Sequence, residues 1–456
     1  MSQSSIETTH ALYAKQLPRI RRVRDCIEGD DLIKAKGELY LPYPADLEKL
    51  RSDSQKDHSR LATKHYQTYK SRAVMPDITI QALQSAIGIV STQDPMITLP
   101  PQLDYLRDNA SGFRNSLKSL YIQAVREVLT SGGYSVLVDV DSKGMPRLFG
   151  YVFEDCINWT TPDDVLTMCV LRESVEDYTD RYSPVTDSQY RIVTIDGDGE
   201  YRQELYRKSE LVSDITPTDY KGIAFEEIPI FRIGSSSNGW SHAGANEIPL
   251  MPVARLAIKS YQVSADAYNN LYLISQAMLI TSGIAESQHK PSSFSSSTAA
   301  HLPTGGNAQL LQVSPSAFPY LKMQMDDLAT EGRGYGASLL ASAKVEAADA
   351  IRAKSASQQA TLRSVAGNVA DAFNSALKSC AAFIGVSPDS VGFAINQEFD
   401  AWAVDTAILA IMGDHVLNGL IPADALLEKY KELGVTIGTK GSAQPPATKP
   451  TDIPAA

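Results

Sequence analysis

The chain has 456 residues, 43% of them apolar and 21% charged, with a formal net charge of -11. That length suits roughly two to four domains with sizeable cores, and the acidic balance argues against a general nucleic-acid coat, so any DNA contact is local or weak. The charge is unevenly spread: residues 154–247 carry 8 Lys/Arg against 19 Asp/Glu, whereas residues 15–72 carry 14 against 9.

The basic N-terminal stretch reads as a solvated, mixed-charge helical surface, with a phosphate-facing patch as the alternative. Ile20 to Gly37 predicts a short helix and turn, and Asp53 to Val74 a further helix that Pro76 ends. A helical segment follows around Ile78 to Ile89. The prolines Pro95, Pro100 and Pro101 in and after DPMITLPP then allow only a strand and a turn.

The clearest helix starts at Leu117. Leu117, Leu120, Tyr121, Ala124, Val125, Val128 and Leu129 fall at three- and four-residue steps and share one face. Ser131-Gly132-Gly133 stops it, because glycine tolerates the left-handed backbone of a helix end, and Tyr134 to Asp139 predicts a buried strand. Short strands dominate from there to about Gly234, including the hairpin RIVTIDGDGEYRQELY with its turn at Gly197 to Gly199. The polar loop from Gly234 to Ala245 reads as a boundary.

Pro249 to Gly385 is the most informative stretch. Pro252 suits a first helical turn, and Val253, Ala257, Ser264, Tyr268, Leu271 and Ser275 mark a helical face rich in small residues. MLITSGI and NAQLLQVS read as strands around ESQHKPSSFSSSTAAHLPTGG, a Ser-rich segment of the kind a partner can order. Phe318 to Leu340 predicts a weaker helix interrupted by Gly332, Gly334 and Gly336. Ala343 to Ile384 predicts one long alanine-rich helix with a stripe running from Ala347 and Ile351 to Cys380 and Ile384, ended by Gly385 and Pro388. A strand at FAINQEF, helices near Trp402 to Asn418 and Pro422 to Leu433, and a disordered tail complete the chain. A helix leading out to a strand-flanked tip and a helix coming back describe a projection rather than a pocket.

Sites of chemistry have little support. Asp139 to Gly144 begins like a calcium loop, but Lys143 stands at its fifth position and Gly150 at its twelfth, where the motif needs a glutamate. Asp196-Gly197-Asp198-Gly199 reads as a hairpin turn. The seven histidines show no metal-ligand spacing, and no phosphate-binding loop or nucleophile motif occurs. Cys26, Cys156, Cys169 and Cys380 are widely spaced and read as free, buried thiols of a reducing cytoplasm. The N-terminal residues lack an apolar signal region and no run of 18 apolar residues exists, so neither secretion nor membrane spanning is expected.

In order, RDCIEGDDLIKAKGELYLP, the Leu117 helix running into SGGYSVLVDV, FEDCINW, EIPIFRIG, the Tyr261 helix and the alanine-rich helix before FIGV and FAINQEF resemble the portal proteins of tailed bacteriophages. The resemblance extends to about Val435 and lies in the order of segments. It implies an α+β fold with a helical and β-rich wing over residues 1–247 and a stem helix over 248–277. A small clip would follow over 278–315, a stem return helix over 316–340 and a tunnel loop over 341–348. A long wing helix over 349–385, a helical crown over 386–435 and a disordered tail over 436–456 would complete the fold.

The same resemblance implies a homo-oligomeric ring, commonly of twelve subunits, at one capsid vertex. Such a ring conducts double-stranded DNA in packaging and ejection, and engages the major capsid protein, the terminase large subunit and head-tail adaptor or tail proteins. No enzymatic activity, cofactor or metal is expected. Lys344 and Arg333 become candidate tunnel residues, and His289, Lys290 and Phe294 candidate docking residues in the clip. Small residues of the stem helix, Ala254, Ala257, Ser260, Ser264 and Ala265, would let stem helices approach each other. Two competing readings are a metal-dependent nuclease using Asp139, Asp141, Asp196 and Asp198, and a monomeric helical scaffold or adaptor.

Overall fold

Among the described residues the helices α1 (Ala11–Glu28), α2 (Asp30–Lys36), α3 (Ala45–Arg51), α4 (Lys56–Arg72) and α5 (Ile78–Ser91) precede the first strand. A computed structural model describes the protein over residues 6–53, 56–92, 94–141, 143–177, 180, 182–240, 246–275, 278–282, 307–311, 318–338 and 360–395. The chain divides after Gln397 into two compact units, and all of these residues belong to the first.

α1 begins nine residues before the predicted start at Ile20 and runs through Pro18. His10 caps it by accepting the Leu12 N–H on Nδ1 at 3.1 Å. Proline removes one backbone bond, here the one to the Ala14 carbonyl; Ala14 and Pro18 are both exposed, so water can serve that oxygen. The His10 ring stacks on Trp159 with centroids 4.1 Å apart, and the His10 backbone N–H donates to the Ile157 carbonyl at 2.9 Å. Arg24 reaches Glu127 at 2.7 Å and also pairs with Glu154, tying α1 to the β-rich region.

The predicted helix at Leu117 is α6 (Leu117–Ser131), and its whole apolar stripe is buried. Ser116 caps it, and Gly132, at φ +79°, ends it. The chain then enters β2 (Gly133–Val140), the middle strand of a sheet of order β3–β2–β9, with β3 (Pro146–Val152) and β9 (Ile230–Gly234). A second, fully antiparallel sheet is built in sequence order from β4 (Cys156–Thr160), β5 (Met168–Asp177), β6 (Val185–Ile195), β7 (Tyr201–Arg207) and β8 (Glu210–Ile215). The turn at Gly197 to Gly199 joins β6 to β7 as the sequence predicts.

After α7 (Met251–Ile274) come β10 (Met278–Ser282), β11 (Asn307–Leu311), α8 (Phe318–Ser338) and α9 (Ala360–Ile384). The predicted long helix is described over its 25 C-terminal residues, and it passes Gly367 without a break. Leu362, Val365, Val369, Phe373, Leu377 and Cys380 are buried as the stripe requires; Ala347 and Ile351 lie outside the described residues. Gly385, at φ +72°, follows its last turn.

Tyr121 of α6, Phe373 of α9 and Phe393 form an aromatic cluster with centroids 5.4 to 6.2 Å apart. Phe393 belongs to β12 (Gly392–Ala394), which pairs antiparallel with β1 (Met96–Thr98). The strand predicted at FAINQEF is thus found at Phe393 and Ala394, Ile395 follows it outside the strand, and its last four residues lie outside the described residues. The helices predicted near Trp402 and Pro422 and the tail lie outside the described residues.

Candidate functional site

The arrangement that stands out is the excursion from α7 to α8. From Met251 to Ala267 most of α7 is buried, leaving Pro252, Arg255, Lys259 and Asp266 exposed. Ala254, Ala257, Ser260, Ser264 and Ala265 are at most 5% exposed within the single chain. This corrects the expectation that they face a neighbouring stem: small side chains let α1, α4 and α5 approach α7 closely, and the face is already used. Cys26 Sγ lies 3.7 Å from the Ala254 carbonyl, Gln262 Nε2 donates to the Tyr40 carbonyl at 2.9 Å, and Ser264 Oγ accepts the Val74 N–H at 2.9 Å.

Further along, contact with the body thins out. Tyr69 of α4 donates its hydroxyl to Asp266 Oδ1 at 2.6 Å, and the Arg72 guanidinium lies 3.4 Å from the centre of the Tyr272 ring. Burial, and then the bond to Asp266, push the Tyr69 hydroxyl well above its ordinary pKa of 10.0. Tyr268, Leu271 and Tyr272 are 37 to 42% exposed.

β10 and β11 pair antiparallel from Met278 with Leu311 to Ser282 with Asn307. α8 then returns along α7. Phe318, Leu321, Met325, Leu328, Ala329 and Gly332 make one half-buried to buried stripe, while the intervening residues are exposed. That stripe at three- and four-residue steps is what a helix with a single packed face requires. α8 is continuous through Gly332, Gly334 and Gly336, which corrects the interruption predicted there. A side chain on Gly332 would place its first carbon 2.6 Å from Ile78 Cδ1, so the glycine marks a close approach of α8 to α5. Between the two arm helices and the body lies a cavity of about 430 Å³, lined among others by Tyr69, Asp266, Asn269 and Tyr320.

Arg333 lies in α8. Lys344, His289, Lys290 and Phe294 lie outside the described residues, as does the tunnel loop.

The acidic residues of the nuclease reading are engaged separately. Asp139 is buried on β2, where Oδ2 accepts from Arg191 Nη1 at 2.9 Å and Oδ1 from the Val140 N–H at 2.8 Å. Burial raises its pKa, against the charge of Arg191. Asp141 closes the β2–β3 turn through the N–H groups of Lys143 and Met145 at 2.8 and 3.0 Å, and pairs with Arg147 Nε at 3.1 Å. Burial would raise its pKa, but those bonds and Arg147 hold it below the ordinary 3.8. Asp196 accepts the N–H groups of Asp198 and Glu200, both at 3.0 Å, and so shapes the β6–β7 turn. Among the described residues no three His, Cys, Asp or Glu side chains are grouped to hold a metal ion, and no helix is long and apolar enough to cross a membrane.

The sequence reading missed the hub around Arg191. Its Nε donates to Glu173 Oε1 at 2.7 Å and its Nη1 to Gln203 Oε1 at 2.8 Å, while Gln189 and Tyr151 each bond Glu173 at 2.6 Å. The available signal was polar Gln189 and Arg191 two apart on β6, in step with Val193, which is buried.

The domain family described as "Domain of unknown function (DUF4055)" matches residues 249–384, which span α7 to the end of α9. No curated protein matches the chain. Three similar solved structures come from gene transfer agent (GTA) particles. A chain of the "Virion of native gene transfer agent (GTA) particle" is 14% identical over 79% of this chain and 91% of its own, with a TM-score of 0.43. A chain of the "Neck of empty GTA particle computed with C6 symmetry" is 14% identical over 79% and 90%, with a TM-score of 0.41. For the "Neck of native GTA particle computed with C12 symmetry" the values are 13%, 79%, 90% and 0.38.

Proposed function

We propose that this chain is the subunit of a phage-type portal, a ring at one capsid vertex through which double-stranded DNA passes in packaging and ejection. The observation that carries this reading is the helical arm: α7 leaves a compact body, β10 and β11 pair at its far end, and α8 returns on a single apolar stripe. An arm with a strand pair at its end offers a docking element rather than a reaction site. It occurs in the segment order that resembles portal proteins.

On this reading α7 and α8 are the stem, and residues 278–315 are the clip. His289, Lys290 and Phe294 meet the terminase and later the head-tail adaptor. Residues 341–348 border the tunnel, where Lys344 and Arg333 are repeated around the axis. Such belts attract a duplex loosely, because each neutralised phosphate adds a salt-sensitive increment of affinity. The body and α9 form the wing beside the major capsid protein, and residues 386–435 form the crown. The ring is assembled in the host cytoplasm, resides in the virion, and is a conduit without catalysis, nucleotide or metal of its own.

Native mass spectrometry with negative-stain imaging of the full-length chain tests this. The expected result is a closed ring, twelve-fold in the particle, with a lumen that admits B-form DNA. A chain that stays monomeric in solution and in particles overturns it.

A further inference from the structure

Two surfaces of the body carry groups that lack partners. The first is a cleft of about 520 Å³ between α1, the end of α2 and α7. Arg21, Arg22 and Arg255 line it, all exposed, and none makes a hydrogen bond or ion pair among the described residues. Lys36 lies there too, but it is engaged, 2.6 Å from each carboxylate oxygen of Asp25. Leu39, 69% exposed, and Ile258 add apolar walls. Cationic groups with apolar walls suit an acidic polypeptide segment that also carries aliphatic side chains better than a bare phosphate.

The second surface is β8, the outer strand of the five-stranded sheet. β7 covers one edge, and the other has no backbone partner among the described residues. Leu211, Val212 and Ile215 are 46 to 55% exposed. Edge strands are ordinarily guarded by Lys or Pro, and neither occurs between Glu210 and Ile215. Glu210 is exposed and without an ion pair, and Asp214 is paired to Arg202. Two β8 edges brought together would oppose like charges, so the strand calls for a basic partner surface.

We propose that the α1/α7 cleft of one copy seats the β8 edge of a second copy. Glu210 then meets the Arg21, Arg22 and Arg255 guanidiniums, and the aliphatic residues of β8 lie along Leu39 and Ile258. The charge distribution fits this contact, since β8 belongs to the acidic stretch 154–247 and α1 and α2 to the basic stretch 15–72. A cleft that accepts a different surface of its neighbour is a heterologous contact, the kind that closes into rings. The inference rests on the ring reading.

The test uses full-length chains carrying R22E/R255E, E210R, or all three substitutions, with association followed by native mass spectrometry and sedimentation. All three positions are exposed, so thermal unfolding should match the wild type, and the milder R255Q serves should the double variant fail to fold. The expected result is that R22E/R255E and E210R each weaken association by about tenfold or more, while the triple variant restores most of it. Wild-type association should also weaken from about 0.15 M to about 0.5 M salt. Rings that form undiminished in both charge-reversed variants overturn the inference and leave the ring reading intact. Loss of binding to a short DNA duplex in R22E/R255E, with ring formation unchanged, overturns it in favour of a phosphate occupant. A wild-type chain that never associates removes the ring reading and this contact together.

Discussion

Tyr69 of α4 and Tyr261 of α7 stand in opposite hydrogen-bond states. The Tyr69 hydroxyl donates to Asp266 Oδ1 at 2.6 Å, whereas the wholly buried Tyr261 hydroxyl has no hydrogen-bond partner among the described residues. Removing the two oxygens should therefore have effects of opposite sign. Tyr69→Phe loses a bond to a charged group and should lower stability by about 1.5 kcal/mol, while Tyr261→Phe relieves a buried unpaired hydroxyl and should raise it by about 1 kcal/mol. Urea unfolding of both variants checks this, and equal signs would contradict it.

Arg191 sits between Glu173 and Asp139 in the β-rich region. Burial alone would raise the pKa of Glu173, but the charge of Arg191 and hydrogen bonds from Arg191, Tyr151 and Gln189 hold it below the ordinary 4.5. A folded pKa below the unfolded one adds stability above the unfolded value, and that stability is withdrawn as pH falls through the folded pKa. Asp139 acts the other way: burial lifts it above 3.8, so its ionised form costs stability that protonation relieves. Glu173→Gln should cost about 2 kcal/mol at neutral pH and flatten the loss of stability below about pH 4.5. Arg191→Ala, which strands the buried Asp139 and the half-buried Glu173, should cost about 3–5 kcal/mol. Denaturant midpoints measured across pH decide both.

Much of the body was legible because its signals are local. The stripe from Leu117 to Leu129 and the stop at Gly132 each lie within a few residues, as does the turn at Gly197 to Gly199. The first helix starts nine residues before Ile20 and tolerates Pro18, because the bond that proline removes would have gone to the carbonyl of exposed Ala14. Gly332 misled because its role, room for Ile78, lies 254 positions away in sequence. The arm was readable as two helices around two strands. The Arg191 hub was not, because polar residues two apart on a strand look the same whether they face water or a buried carboxylate.

All four cysteines are buried and free. Burial pushes the Cys26 and Cys380 thiols up to about 12, so both stay protonated at neutral pH. Since the thiolate is the reactive form, a thiol reagent at neutral pH should label neither residue in the native protein and both after denaturation. Rapid native labelling of Cys380 would show that α9 leaves its sheet far more readily than its packing implies.

Gly132 combines a left-handed backbone with crowding, since a first side-chain carbon there would meet the Glu247 carbonyl oxygen at 2.9 Å. Gly132→Ala should cost about 1–2 kcal/mol through the left-handed penalty, with more if the Glu247 backbone cannot shift. A melting temperature equal to that of the wild type would contradict this.

The pairing of Met96 with Ala394 through Thr98 with Gly392 gives the protein an unusual schedule of synthesis. β1 leaves the ribosome early, yet its complement is among the last described residues to be made. Until then α6 and the β2 sheet lack α9, which packs against them, and their apolar faces stay uncovered. The body therefore closes only when two segments about 300 positions apart in the sequence are both present.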